Sequence, residues 1–112
     1  MVPIVMVSPA LCKSLSFFFE VGAITLYPFI ISKEPMDEVV LNHEKIHIRQ
    51  QEELLVLGFY ALYFMWWAIG MLKGKGGFQS YYEIPFEIEA YENESNPQYL
   101  EKRKRFAFRD YI

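Results

Sequence analysis

An α+β fold follows from three features of the sequence. Short β-branched or aromatic runs fill its first third, an unbroken helical pattern fills its middle, and proline-opened polar segments close it. With 112 residues it makes a single domain, 1–112, with a modest core.

Residues 2–7 (VPIVMV), 15–20 (LSFFFE) and 23–31 (AITLYPFII) read as strands of a small antiparallel sheet within 1–31, with Val21-Gly22 as a tight turn. Pro28 cannot donate to a ladder, which puts the run 23–31 on a sheet edge. Pro35 reads as the first position of a helix over 35–53, with Asp37 and Glu38 in its first turn. Residues 54–72 carry no charge, and a hydrophobic helix of that length is long enough to span a bilayer. A glycine-rich loop follows at 73–77. Pro85 then opens a helix over 85–95, and Asn96-Pro97 opens a last one over 97–108, which carries the basic run Lys102-Arg103-Lys104-Arg105.

Several function classes drop out on composition. A net charge of −3 with no dominant basic face argues against nucleic-acid binding. The lone Cys12 excludes an internal disulfide. Bulky Leu11 precedes it where a lipoprotein signal needs a small residue. Pro3, Pro9 and the lack of a positive start count against a secretory signal.

The only two histidines fall in "LNHEKIHIRQQ", as His43-Glu44-Lys45-Ile46-His47, an HExxH. Two histidines scattered at random over this length land four apart only about 2% of the time, before the glutamate is required. On a helix, residues four apart share a face, so both imidazoles can reach one ion. A zinc ion there needs a third protein ligand and keeps a fourth position for water. Glu44, displaced around the helix, would reach that water rather than the metal and act as general base. With no third histidine, the missing ligand falls among the downstream carboxylates. Glu87 is preferred, because Ala90 one turn on is small enough to let two helix backbones approach; Glu83 and Glu89 are alternatives. The rest of the acidic run, Glu89, Glu92 and Glu94, reads mostly as a solvated face.

An edge strand, then HExxH, then Glu87-x-x-Ala90 on a later helix resembles the zincin metallopeptidases, specifically the gluzincin branch. The ExxA element is similar to that of HtpX-like and CAAX-prenyl-protease-like membrane peptidases, where an aspartate follows. Tyr91 takes that place here, so the aspartate's ligand-orienting role does not carry over. The pieces "NHEKIH" and "PFEIEAYENE" also resemble small bacterial zincin-like proteins, and the resemblance covers about residues 23–95. It implies a minimal zincin-like domain, zinc as cofactor and hydrolysis of a peptide or protein substrate. It further implies a cleft lined by the strand 23–31, and Tyr81 or Tyr82 as donor to the developing oxyanion. Two rivals stand beside it: a non-catalytic metal-binding or membrane-interaction protein, and a small membrane protein with a chance motif.

The hydrophobic run sets a geometric problem. A single membrane crossing over 54–72 would put His47 and Glu87 on opposite sides of a bilayer. A break at Gly58 or Gly70, an interfacial helix or a homo-oligomer contact would each avoid this. Tyr60, Tyr63, Trp66 and Trp67 lie inside the run rather than flanking it, which favours membrane association without a crossing, on the cytoplasmic side. A soluble cytoplasmic protein is the alternative. The basic run 102–105 reads as a solvated helix face that could touch anionic lipid.

Overall fold

The computed structural model describes residues 3–10, 23–33 and 35–112; the expected strand at 15–20 lies outside them. The class is α+β. Strands β1 (Ile4–Val7), β2 (Ala23–Leu26) and β3 (Phe29–Ser32) precede helices α1 (Glu38–Glu53), α2 (Leu57–Leu72), α3 (Gly77–Tyr82), α4 (Pro85–Asn93) and α5 (Tyr99–Lys102), and a 3-10 turn at Ala107–Tyr111 follows.

The sheet is mixed rather than antiparallel. Its order is β1-β3-β2, with β1 parallel to β3 (Ile4 opposite Phe29) and β2 antiparallel to it (Leu26 opposite Phe29). The run 23–31 is therefore not one edge strand but a hairpin. Pro28 sits in the two-residue turn, where its missing N–H costs no ladder bond, and its carbonyl accepts from the Ile4 amide at 2.9 Å. Only β2 is left on that edge, beside α1.

Helix α1 starts three residues later than Pro35, because the Asp37 carboxylate accepts from the Val40 amide at 2.9 Å and fixes the cap there. Its inward face is unusual, burying His43, Glu44, His47, Gln50 and Gln51 beside Ile46 and Ile48.

The break between α1 and α2 is at Leu55-Val56, not at Gly58 or Gly70, both of which lie within α2. Leu55 (φ 56°) and Val56 (φ 64°) take left-handed backbone, and the Leu57 amide closes a γ-turn on the Leu55 carbonyl at 2.7 Å. Such positions cost about 1–3 kcal/mol each for a residue with a branched side chain. They turn α2 by 112° from α1, so the chain folds back on itself. No single helix among the described residues is long and apolar enough to cross a membrane.

One side of α2 faces the core formed by Phe59, Ile84, Phe86 and Phe108, with Tyr63, Trp66 and Trp67 packed around it. The other side leaves Leu57, Phe64, Met65, Ile69 and Leu72 exposed. Gly70 lets α3 approach closely, since a Cβ there would lie 2.6 Å from Ser80 Oγ.

The predicted helix 97–108 breaks into one turn of α5 and the 3-10 turn. Arg103 turns extended, and its guanidinium is buried against Glu53 and Glu89. The basic run is thus no uniform solvated face.

Candidate metal centre

The 3.6-residue period of α1 puts His43 and His47 one turn apart on its buried face, and α4 packs against that face. Pro85 at the first turn of α4 sets the register that points Glu87 inward, and fully buried Ala90 keeps the helices close. Asn42 holds the far end by donating to the carbonyls of Glu94 (2.9 Å) and Asn96 (3.0 Å).

Three atoms meet between the helices. His43 Nε2 lies 3.0 Å from Glu87 Oε1, His47 Nε2 lies 3.1 Å from that same oxygen, and the two Nε2 atoms are 3.2 Å apart. Each ring's other nitrogen has an acceptor: His43 Nδ1 faces Glu94 Oε2 at 2.9 Å, and His47 Nδ1 faces Gln50 Oε1 at 2.7 Å. With Nδ1 carrying the hydrogen on both rings, three lone-pair atoms point at one spot. Such a set repels itself unless a cation or added protons sit there. Tetrahedral coordination with 2.0–2.1 Å arms spaces ligand atoms about 3.3–3.4 Å apart. The observed triangle is within a few tenths of an ångström of that. His43, His47 and Glu87 therefore form a group that could hold a metal ion.

The surroundings support the same atoms. Tyr63 on α2 donates to Glu87 Oε2 at 2.7 Å, which leaves Oε1 for the shared point. Burial pushes the Glu87 carboxyl up, but the charge of His47 and hydrogen bonds from both rings outweigh it and hold it well below the usual carboxylate range. Burial and the charge of Glu87 push the Tyr63 phenol far up, so it stays a donor.

Glu44, next to the first ligand, is turned toward β2. Its Oε2 bonds the Thr25 hydroxyl at 2.5 Å. The edge of β2 is partly occupied as well: the Thr25 carbonyl accepts from Gln51 (3.2 Å) and Tyr60 (2.9 Å), and the Tyr27 amide donates to Gln51 at 3.0 Å. At Thr25 and Tyr27 the edge therefore has no free backbone group to offer an extended peptide through these atoms.

The alternative ligands are committed elsewhere. Glu83 pairs with Lys75 at the surface at 2.8 Å, while Glu89 is fully buried and bonded to Gln50, Tyr99 and Arg103. Of the two tyrosines, Tyr81 shares a hydroxyl–hydroxyl bond of 2.9 Å with Tyr91, whose ring lies 4.4 Å from that of His43. Burial first, then the charge of Glu87, raises the Tyr81 phenol far above its ordinary range. Tyr82 is half exposed, its ring against Tyr81 and Tyr91.

Four partners escape the sequence reading: Glu94, Gln50, Tyr63 and Thr25. A signal existed for two of them. Glu94 stands seven residues from Glu87, and Gln50 seven from His43, so each falls on the same helical stripe as a ligand of its own helix. Tyr63 and Thr25 come from other elements and leave no local mark. No family model, curated protein or solved structure matches this chain, so the chemistry of the centre rests on its own geometry.

Proposed function

We propose that this protein is a zinc-dependent metallopeptidase, with His43, His47 and Glu87 as ligands and Glu44 as general base. The observation that carries the reading is the meeting of the two Nε2 atoms and Glu87 Oε1 within 3.0–3.2 Å, one residue along the helix from a second carboxylate. Two imidazoles and one carboxylate suit zinc better than calcium or magnesium, which favour oxygen-only shells. When bound, zinc supplies a Lewis acid that brings the pKa of a water near neutrality. The chain's own residues do the rest. The Thr25 hydroxyl fixes one oxygen of Glu44, and the other takes the proton of the attacking water and passes it to the leaving amine. Tyr81, kept protonated, donates to the carbonyl oxygen as it gains charge.

Purified protein should carry one zinc per chain, and His43→Ala should lose it. Glu44→Gln should keep the zinc and lower hydrolysis of a fluorogenic peptide library by roughly 10²–10⁴-fold. Unchanged hydrolysis in that variant would remove Glu44 as base.

A non-catalytic metal site is the second reading, favoured by closure. His43, His47, Glu87 and Glu44 are each at most 7% exposed, and part of the β2 edge is already bonded. Zinc binding with no hydrolysis across the library would select it. The exposed apolar side of α2 supports contact with a membrane surface, which vesicle co-sedimentation tests directly.

A further inference from the structure

The residues holding the ligands are themselves held by a buried polar chain that runs from His47 to the last third of the sequence. His47 Nδ1 meets Gln50 Oε1 at 2.7 Å. An amide can present either end, so that contact alone does not say which partner carries the hydrogen. The other end of Gln50 decides it. Its Nε2 faces two acceptors, the Phe86 carbonyl at 3.1 Å and Glu89 Oε1 at 3.0 Å. Neither can donate while Glu89 is a carboxylate. Three donors face Glu89 as well: Arg103 Nε bonds Oε2 at 2.5 Å, Arg103 Nη2 bonds Oε1 at 3.2 Å, and the Tyr99 hydroxyl bonds Oε2 at 2.8 Å. Arg103 is anchored in turn by both oxygens of Glu53, at 2.9 and 3.0 Å. Gln50 and Glu89 are fully buried, so water cannot stand in for a missing partner.

We infer that Glu89 and Arg103 are positioning residues for the metal centre, acting through Gln50 to hold His47 in the tautomer that offers Nε2 to the metal. Reading the chain inward, the Arg103 guanidinium fixes Glu89 as an acceptor and Glu89 fixes the amide end of Gln50. The Gln50 oxygen must then accept from Nδ1–H, which leaves Nε2 as the nitrogen that faces Glu87 and can serve a metal. If Gln50 turned over, its amide would donate to Nδ1, the hydrogen would move to Nε2, and the ligand would be lost. This inference rests on the metal reading and adds to it a part of the chain well beyond the ligands.

The test is zinc affinity of the full chain, read by competition with a chromophoric chelator at a temperature where circular dichroism finds each variant folded. Glu89→Gln keeps shape but lets that position donate to the Gln50 oxygen, so Gln50 can turn; affinity should fall roughly 10–100-fold. Nitrogen-15 spectra of the zinc-loaded protein should give the hydrogen on His47 Nδ1 in the native chain. A folded Glu89→Gln variant with native zinc affinity overturns the inference, even if its melting temperature falls. Should Glu89→Gln not fold, Gln50→Met leaves the Glu89–Arg103 pair intact and must lose affinity to a similar extent; native affinity there overturns it equally. His43→Ala separates the two levels. If it binds zinc like the native chain, the metal reading fails; if it loses zinc while the Gln50 and Glu89 variants do not, only the tautomer lock falls.

Discussion

Replacing Arg103 with methionine should cost about 3–5 kcal/mol, the cost of removing one partner from a buried ion pair. The structure supplies the reasons for so large a number. The Arg103 side chain is 1% exposed, and it faces Glu89 at 0% and Glu53 at 11%. Methionine fills much of the same volume, so the loss is electrostatic: two carboxylates are left in a dry region with Gln50, Tyr99 and the Phe106 amide as their remaining donors. Lys104, the next residue, gives the contrast. Its pair with Asp110 is 66% and 56% exposed, and Lys104→Ala should change stability by no more than about 1 kcal/mol. Native domains hold about 5–15 kcal/mol in total, so Arg103→Met removes a large share. Urea unfolding of the native chain and both variants at one pH and one salt concentration measures the difference. Equal midpoints for Arg103→Met and Lys104→Ala would refute the assignment of Arg103 to a buried network.

Three further outcomes follow from the same packing and hydrogen bonding. Burial alone would lower the His47 pKa, but the charge and hydrogen bond of Glu87, with help from Glu44 and Gln50, raise it from 6.5 to about 9 in the metal-free chain. That stabilisation is complete below pH 6.5 and lost as pH rises through 9, so chelator-treated protein should melt progressively lower across this window while His47→Gln does not. Tyr63→Phe removes the donor 2.7 Å from Glu87 Oε2 and should weaken zinc binding roughly 10–100-fold, measured by chelator competition; native affinity would deny it a role. Gly70→Ala puts a Cβ 2.6 Å from Ser80 Oγ and 2.8 Å from its Cβ, so α2 and α3 must part at about 1–3 kcal/mol, with Ser80→Gly relieving much of it in a double-mutant cycle by thermal unfolding.

The α+β class, the course of α1 and α4, and the metal-capable triad are legible in the sequence because each depends on local spacing. Two histidines four apart, and a glutamate three before an alanine, carry their geometry with them once the segment is helical. What is not legible depends on partners distant in sequence. Arg103 sits in a run of four basic residues, and nothing local distinguishes it from Lys102 or Lys104. Only Glu53 and Glu89, brought beside it by the fold, account for its buried side chain. Glu89 and Glu94 read as a solvated face for the same reason, yet one is fully buried and the other holds His43. The bend between α1 and α2 hides for the opposite reason: Leu55 and Val56 are poor residues for left-handed backbone, so the sequence argues against the turn that packing imposes. Pro28 is a milder case. It marks a limit on pairing correctly, but as the corner of a hairpin rather than as a member of an edge strand.

The polar lining of α1 ties these observations together. A chain of 112 residues has few positions to give to a core, and this one gives several of its most buried to Gln50, Gln51, Glu89 and Ser80. Among the described residues every buried side-chain nitrogen and oxygen nevertheless has a partner. Apolar residues of similar size would commonly give equal or greater stability, because a polar group gains little by exchanging water for a protein partner. What the polar set provides instead is a fixed orientation for each donor and acceptor, and Glu89 and Gln50 carry that orientation to His47. Glu94 and Gln50 take the outer ring nitrogens, Tyr63 takes the outer carboxylate oxygen, and Asn42 ties the end of α4 to α1. Without a metal, the two Nε2 atoms and Glu87 Oε1 share their triangle of 3.0–3.2 Å by keeping a proton among them, and a cation can take that proton's place. The arrangement is intelligible if the domain folds around a cation, with metal affinity and fold stability drawing on one set of contacts.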